Sequence, residues 1–215
     1  MEYSLNDIQH LPDRFRRNLI NSLHGFKSVS LIGTSNSQGQ TNLAIFSQIF
    51  HIGANPPLVG ILVRPDSVDR HTLRNIRETF WFTINHIQES FVEAAHQTSA
   101  RYPEEVSEFD ACGLKPEFVQ EIPAPFVAES AIRYALFKVD ETTLVNGTVL
   151  ITGEIRFVHV PDVVVSEDGF LQIHQAGTIA SSGLDAYYRV DPISRFAYAK
   201  PDLPVVKIPF ESKNE

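Results

Sequence analysis

AIRYALFKVDETTLVNGTVLITGEIRFVHV, residues 131–160, decides the architecture. Two strand patterns flank Asn146-Gly147, a dipeptide favoured in tight hairpins because both central positions need positive φ. On the second arm Val149, Ile151, Ile155 and Phe157 alternate with more polar positions, so one face of that strand is buried. The same Asn-Gly-Thr triplet matches the glycosylation pattern, but its setting between apolar runs favours the turn. Upstream, SVSLIGTS (28–35) and QTNLAIFSQI (40–49) enclose the turn residues Asn36 to Gly39 and form a second hairpin pattern. Asn55-Pro56-Pro57 then punctuates the chain before LVGILV (58–63), whose length and β-branching suit a buried strand. FWFTINHI (80–87) is a further strand, with Phe80, Trp81 and Phe82 as core candidates.

Three segments change period. In LPDRFRRNLINSLHGF (11–26), Phe15, Leu19 and Leu23 recur every four residues and Gly25 follows as a stop, which predicts a helix over about 12–25. In DRHTLRNIRETF (69–80), Leu73, Ile76 and Phe80 share one helical face while Arg70, Arg74 and Arg77 share another. QESFVEAAHQTS (88–99) is helical as well. Ala100 to Pro125 reads as an irregular excursion with one short helix around Glu104 to Ala111. After Asp168-Gly169 the periods fade, leaving a tail over about 177–215 laid on a surface. Strands joined by hairpins, with helices as decorations, predict a mainly β antiparallel barrel or an α+β arrangement rather than a parallel sheet.

The 215 residues suffice for one generous domain, 1–215, with a core that needs neither metal nor disulfide. The net charge of −8 argues against nonspecific affinity for nucleic acid or an anionic membrane, though a small anionic ligand needs only a local positive site. The single cysteine, Cys112, excludes an internal disulfide and any multi-cysteine metal site, and reads as a packed thiol. The first residues place acids before the basic cluster and lack an apolar core, so no secretory signal is expected. No stretch approaches the roughly 18 apolar residues of a membrane span. The expectation is a cytoplasmic protein.

Familiar catalytic patterns are missing. The sequence has no GxG, no GK[ST], no HExxH, no CxxC and no GxSxG, which removes the glycine-loop nucleotide sites, zinc proteases and hydrolase elbows. Neither a catalytic side chain nor a metal ligand is assigned. Of the eight histidines only His51 and His71 fall near other residues of interest, while His159 and His174 carry no site signal. Chemistry without such groups borrows its reactive atoms from a cofactor. From Arg64 to Arg77 the basic residues Arg64, Arg70, Arg74 and Arg77 outnumber Asp66 and Asp69, in a chain that is acidic overall. A helix starting near Thr72 offers unpaired N–H groups and a partial positive charge, both suited to phosphate, with hydroxyl and imidazole donors from Thr72 and His71. The same stripe also fits an ordinary solvated helix face, with Thr72 as a local cap.

Taken together, NLAIFSQIFHIGANPPLVGILVR (42–64) followed by DRHTLRNIRETFWFTIN (69–85) resembles the flavin-reductase-like family of FMN-binding split barrels. TSARYPEEVSEFDACGLKP (98–116) and PFVAESAIRYALFKV (125–139) resemble that family's middle section, and GLDAYYR (183–189) the C-terminal segment of a subgroup. The resemblance implies an antiparallel split β-barrel, a homodimer, and FMN in a groove near the subunit interface. Carried over by position, Phe46, Ser47 and Gln48 would line the flavin, and Arg64, Arg70, His71 and Thr72 would meet its phosphate. His71 departs from the acidic residue the family often has there, and Gln48 and His51 also differ from common choices. Tyr187, Tyr188 and Arg189 would reach a partner's site or seal the dimer surface. The implied activity is NAD(P)H-dependent flavin reduction. Its alternatives are an FMN-carrying electron-transfer protein of the flavoredoxin kind and a non-catalytic split-barrel binding module.

Overall fold

The Asn146-Gly147 hairpin is present in the computed structural model of the chain, which describes residues 1–65, 70–119 and 121–210. Of that pair only Gly147 takes a positive φ, 79°, and Asn146 does not, so the two-residue turn with both central positions left-handed is corrected: the chain turns over Leu144 to Gly147, whose N–H donates to the Leu144 carbonyl at 2.8 Å. In chain order the strands are β1 (Lys27–Ser28), β2 (Ser30–Ser35), β3 (Thr41–Phe46), β4 (Ile49–Ala54), β5 (Pro57–Val63), β6 (Trp81–His86), β7 (Pro116–Glu117), β8 (Phe126–Val127), β9 (Arg133–Thr143), β10 (Val149–His159), β11 (Ala180–Ser182), β12 (Ala186–Tyr188), β13 (Arg195–Phe196) and β14 (Lys207–Ile208). The helices are α1 (Leu5–His10), α2 (Asp13–Ser22), α3 (His71–Thr79), α4 (Val92–Gln97) and α5 (Glu108–Cys112).

Seven strands make one sheet in the order β3-β2-β6-β9-β10-β5-β4, and every neighbouring pair is antiparallel. The two edge strands, β3 and β4, are consecutive in the chain and separated by Ser47 and Gln48 alone. The sheet therefore curls until its ends meet at that corner without pairing along their length. This is a split barrel, the architecture the motif resemblance implied. The reading of 40–49 as one strand is corrected: β3 ends at Phe46, Ser47 and Gln48 turn the corner, and β4 begins at Ile49. With its side chains mostly exposed on both faces, β4 shows no alternation that would mark it as a strand.

The two larger apolar clusters lie on opposite faces of the sheet, and a smaller one gathers Ile122, Ala124 and Phe126 against Ala135 of β9. On β2, Ile32 joins Ile61, Phe82, Ile84, Leu136 and Ile151 inside the barrel, with Leu73 and Ile76 of α3 closing its end. Leu31, one residue away and so on the opposite face, joins Leu43, Ile87, Ala95 and Phe109 beneath α4 and α5. Each such side chain contributes about 1.5–3 kcal/mol on burial. Gly33 has no room for more. A Cβ there would stand 2.2 Å from the Pro125 carbonyl oxygen, which itself accepts a 2.6 Å bond from the Thr83 hydroxyl.

α3 forms where the period changed, with Leu73 and Ile76 fully covered. Phe80 does not continue its buried face. It is the C-cap, in the left-handed region at φ 65°, and its ring stands 44% exposed, stacked on Phe137. Phe82 is core, whereas Trp81 is only partly covered. The expected helix over about 12–25 is α2, shorter at both ends and preceded by α1, which the Ser4–Asp7 capping box starts. Its apolar stripe is not buried: Phe15 and Leu23 remain exposed. The helix placed around 104–111 is instead α5, beginning four residues later. The tail adds β11 and β12 to β1 in a three-stranded sheet and forms the β13–β14 pair, while residues 211–215 lie outside the described residues. Among the described residues no helix is long and apolar enough to cross a membrane.

Candidate functional site

The barrel's unpaired corner opens onto a cavity of about 570 Å³. That lies within the roughly 300–1,000 Å³ typical of small-molecule sites. The structure brings to this one cavity the seven residues that the resemblance assigned to the flavin and its phosphate: Phe46, Ser47 and Gln48 from the corner, Arg64 from the end of β5, and Arg70, His71 and Thr72 from the start of α3. The corner is held on the β5 side, where the Leu62 N–H donates to the Gln48 carbonyl at 3.0 Å and extends the β4–β5 ladder. Asp66 and Asp69, counted with the local charges above, lie outside the described residues.

α3 points its N-terminus at the cavity. Arg70 is the N-cap residue, in extended conformation, and no side chain caps the helix among the described residues. The first turn carries no acid. The first N–H groups of a helix and its partial positive charge suit an anionic ligand. A buried polar network positions that end. Asn42 on β3 donates through Nδ2 to the Thr72 hydroxyl at 3.0 Å and to the Thr34 hydroxyl at 3.2 Å, and Asn75 Nδ2 donates to the same Thr34 hydroxyl at 3.2 Å. With its oxygen held by Asn42, Thr72 has its own proton left to give, and none of the described residues takes it.

The charge around the cavity is mainly positive. Arg64, Arg70 and Arg101 line it. Lys27 lies close enough to Arg64 that burial, and then the Arg64 charge, hold its ammonium below the usual lysine range, and it donates to the Gly183 carbonyl at 2.9 Å. Glu108 is the acid on the wall. It is almost fully buried and accepts the Leu43 N–H at 2.9 Å. Burial pushes its carboxyl up, against the Leu43 N–H and the nearby His71, which pull it down. Also lining the cavity, His96 Nδ1 and the Tyr187 hydroxyl stand 2.7 Å apart.

Other expectations fall differently. His51 sits exposed on β4, away from the cavity wall. The arginine stripe of α3 is not simply solvated: Arg74 pairs with Glu104 at 2.5 Å and Arg77 with Glu141 at 2.6 Å, leaving Arg70 as its cavity member. Sequence reading missed Asn42, His96, Arg101 and Glu108 as wall residues. The segment 98–116 carried the resemblance but had no role attached, and Asn42 would have been found only by asking what fixes Thr72. Among the described residues no cluster of His, Cys, Asp and Glu could hold a metal.

Residues 23–175 match the family model described as the flavin reductase like domain. The chain belongs to that family. A solved split-barrel-domain protein from Shewanella frigidimarina, provisionally described as a flavin reductase, is 48% identical to this flavin reductase-like chain. It superposes with a TM-score of 0.89, covering 93% of this chain and all of its own. Nitrilotriacetate monooxygenase component B from Bacillus cereus shares the fold at 22% identity and a TM-score of 0.79, over 91% of this chain and 98% of that one. Among curated proteins, one from Aquifex aeolicus that carries no functional name is 28% identical over 144 residues, 66% of this chain and 73% of its own.

Proposed function

We propose that this flavin reductase-like protein binds FMN at the barrel corner and carries hydride between a nicotinamide, NADH or NADPH, and the flavin. One observation carries the reading: the start of α3, with Arg64 and Arg70, and the unpaired barrel corner with its apolar neighbours line the same cavity. The donor set fits the cofactor. A phosphomonoester with nearly two negative charges needs several N–H and O–H donors and positive charge, and Thr72, His71 and the two guanidinium-bearing residues Arg64 and Arg70, with the start of α3, all line this cavity. The ring needs a flat slot with both apolar and hydrogen-bonding faces. Ile45, Phe46 and Leu62 offer the first, and Ser47 and Gln48 the second.

When bound, the flavin accepts or gives hydride at N5, so no protein nucleophile or metal is required. The chain's own residues hold the phosphate, fix the ring against the corner and keep positive charge near it. Positioning of this kind is the protein's main contribution to such a reaction. The proposal includes a homodimer, because Phe15, Leu23 and Phe26 lie exposed at the N-terminal end and Phe26 packs edge-on against Tyr188 of the tail. Titrating the purified protein with FMN, then following NADH and NADPH oxidation with and without free FMN, tests the reading. Saturable binding with FMN-dependent oxidation is expected. A colourless protein that ignores added FMN would overturn it.

A further inference from the structure

His96 and Tyr187 are 91 residues apart in the chain and come from different elements, α4 and β12. They meet at 2.7 Å on the wall of the cavity, with their rings edge to face at 5.7 Å. The tail hairpin that carries Tyr187 is anchored on both sides, by Lys27 donating to Gly183 and by Arg189 paired to Glu89. The placement is therefore built rather than incidental. Nothing in hydride exchange between nicotinamide and flavin, as set out above, uses this pair.

Its chemistry is that of a proton relay. Tyr187 is half-buried, and burial together with the Asp185 charge pushes its phenol up, so the hydroxyl keeps its proton near neutrality. His96 is exposed and in contact with water. When the imidazole carries its proton on Nδ1, it donates to the phenol oxygen and frees the phenol O–H to donate into the cavity. A path then runs from water through His96 and Tyr187 to whatever lies there. Arg101, a cavity-lining guanidinium not assigned to the phosphate, favours an oxygen that becomes negative as it reacts.

We infer that His96 and Tyr187 form a subsite for a second, organic acceptor, a conjugated carbonyl compound whose oxygen takes the hydrogen bond and then the proton. This rests on the flavin reading above. The acceptor's β-carbon takes hydride from the reduced flavin, its C=C bond becomes single, and the electron pair moves to the carbonyl oxygen. Tyr187 gives that oxygen its proton and forms the enol. His96 Nδ1 reprotonates the phenolate while Nε2 takes a proton from water. The enol tautomerises to the saturated ketone or aldehyde, and the flavin is left oxidised.

The test uses cinnamaldehyde labelled with ¹³C at the carbonyl, added to the FMN-saturated protein and followed by NMR. A downfield shift of the bound carbonyl is expected, reduced or lost in Tyr187→Phe, with FMN affinity unchanged within about twofold in the variant. In single turnover, the reduced wild-type protein should convert cinnamaldehyde to the saturated aldehyde, and Tyr187→Phe should do so roughly 10²-fold more slowly, the usual effect of a general acid. His96→Gln should keep most of the carbonyl shift but slow repeated turnover. An unshifted carbonyl in the wild type, a shift that survives Tyr187→Phe, or equal single-turnover rates would overturn the inference. Failure of the wild type to bind FMN would overturn the flavin reading instead, and the two failures are read from separate signals.

Discussion

Replacing Thr72 by valine keeps the shape of the side chain and removes its hydroxyl. The residue is 6% exposed, accepts from Asn42 at 3.0 Å, and by the proposal gives its own proton to a phosphate oxygen. A hydrogen bond to a charged group contributes about 1.5–3 kcal/mol. At about 1.4 kcal/mol per tenfold, FMN should bind roughly 10- to 100-fold more weakly. The unliganded protein suffers separately, because Asn42 keeps Thr34 as an acceptor but loses Thr72. One buried N–H left without a partner costs about 1–3 kcal/mol. For a chain of this size that lowers Tm by roughly 2–4 °C per kcal/mol. Fluorescence titration with FMN and thermal unfolding without it measure the two effects independently. Thr72→Ser, which restores the hydroxyl, should bind within about threefold of the wild type. An unchanged affinity in Thr72→Val, or a serine variant as weak as the valine one, would show that the hydroxyl does not face the anion.

Arg64→Ala should weaken FMN by at least about tenfold. Arg77→Ala, which breaks the exposed pair with Glu141 and lies off the cavity, should leave affinity within about twofold and stability within about 1 kcal/mol. Equal effects in the same titration would refute the placement of the phosphate. Gly33→Ala should lower stability by about 1–3 kcal/mol or more, since its methyl would meet the Pro125 backbone, and an unchanged denaturant midpoint would contradict this. Burial pushes His86 down to about 4 from 6.5, so between these values the unfolded chain takes up a proton that the folded one refuses. Stability should therefore fall by up to about 3 kcal/mol as pH drops from 6.5 to 4. His86→Gln should flatten that part of a denaturation-midpoint-against-pH profile, and an unaltered slope would assign the effect elsewhere.

What could be read from the chain was what is local. The Asn146-Gly147 turn, the alternation of Val149 and Ile151, and the Leu73–Ile76 face of α3 each lie within a few residues and were visible as period or turn chemistry. Phe80 shows the limit of period counting: it continues the helical spacing, yet the helix ends on it. The stripe of Phe15, Leu19 and Leu23 was equally periodic, but a period says that a face is apolar and not what covers it. The wall residues divide in the same way. Arg64, Arg70 and Thr72 lie close together in the sequence and announced a positive corner. Asn42 is 30 residues from Thr72, Glu108 is 65 from Leu43, and His96 is 91 from Tyr187, so those pairings exist only once the sheet has curled.

The meeting of β3 and β4 has one more consequence. A fully closed hoop of strands must keep every rung if it is to stay shut, so remodelling any part of it endangers the whole. Here the hoop is left ajar at Ser47 and Gln48, and most of the rungs that bear load lie on the opposite side, along β2, β6, β9 and β10. Substitutions at the gap, or at the tail and the α4–α5 crossing that roof it, can reshape what the molecule grips without loosening the staves. In such a frame, changes of ligand preference should be far cheaper than changes of scaffold.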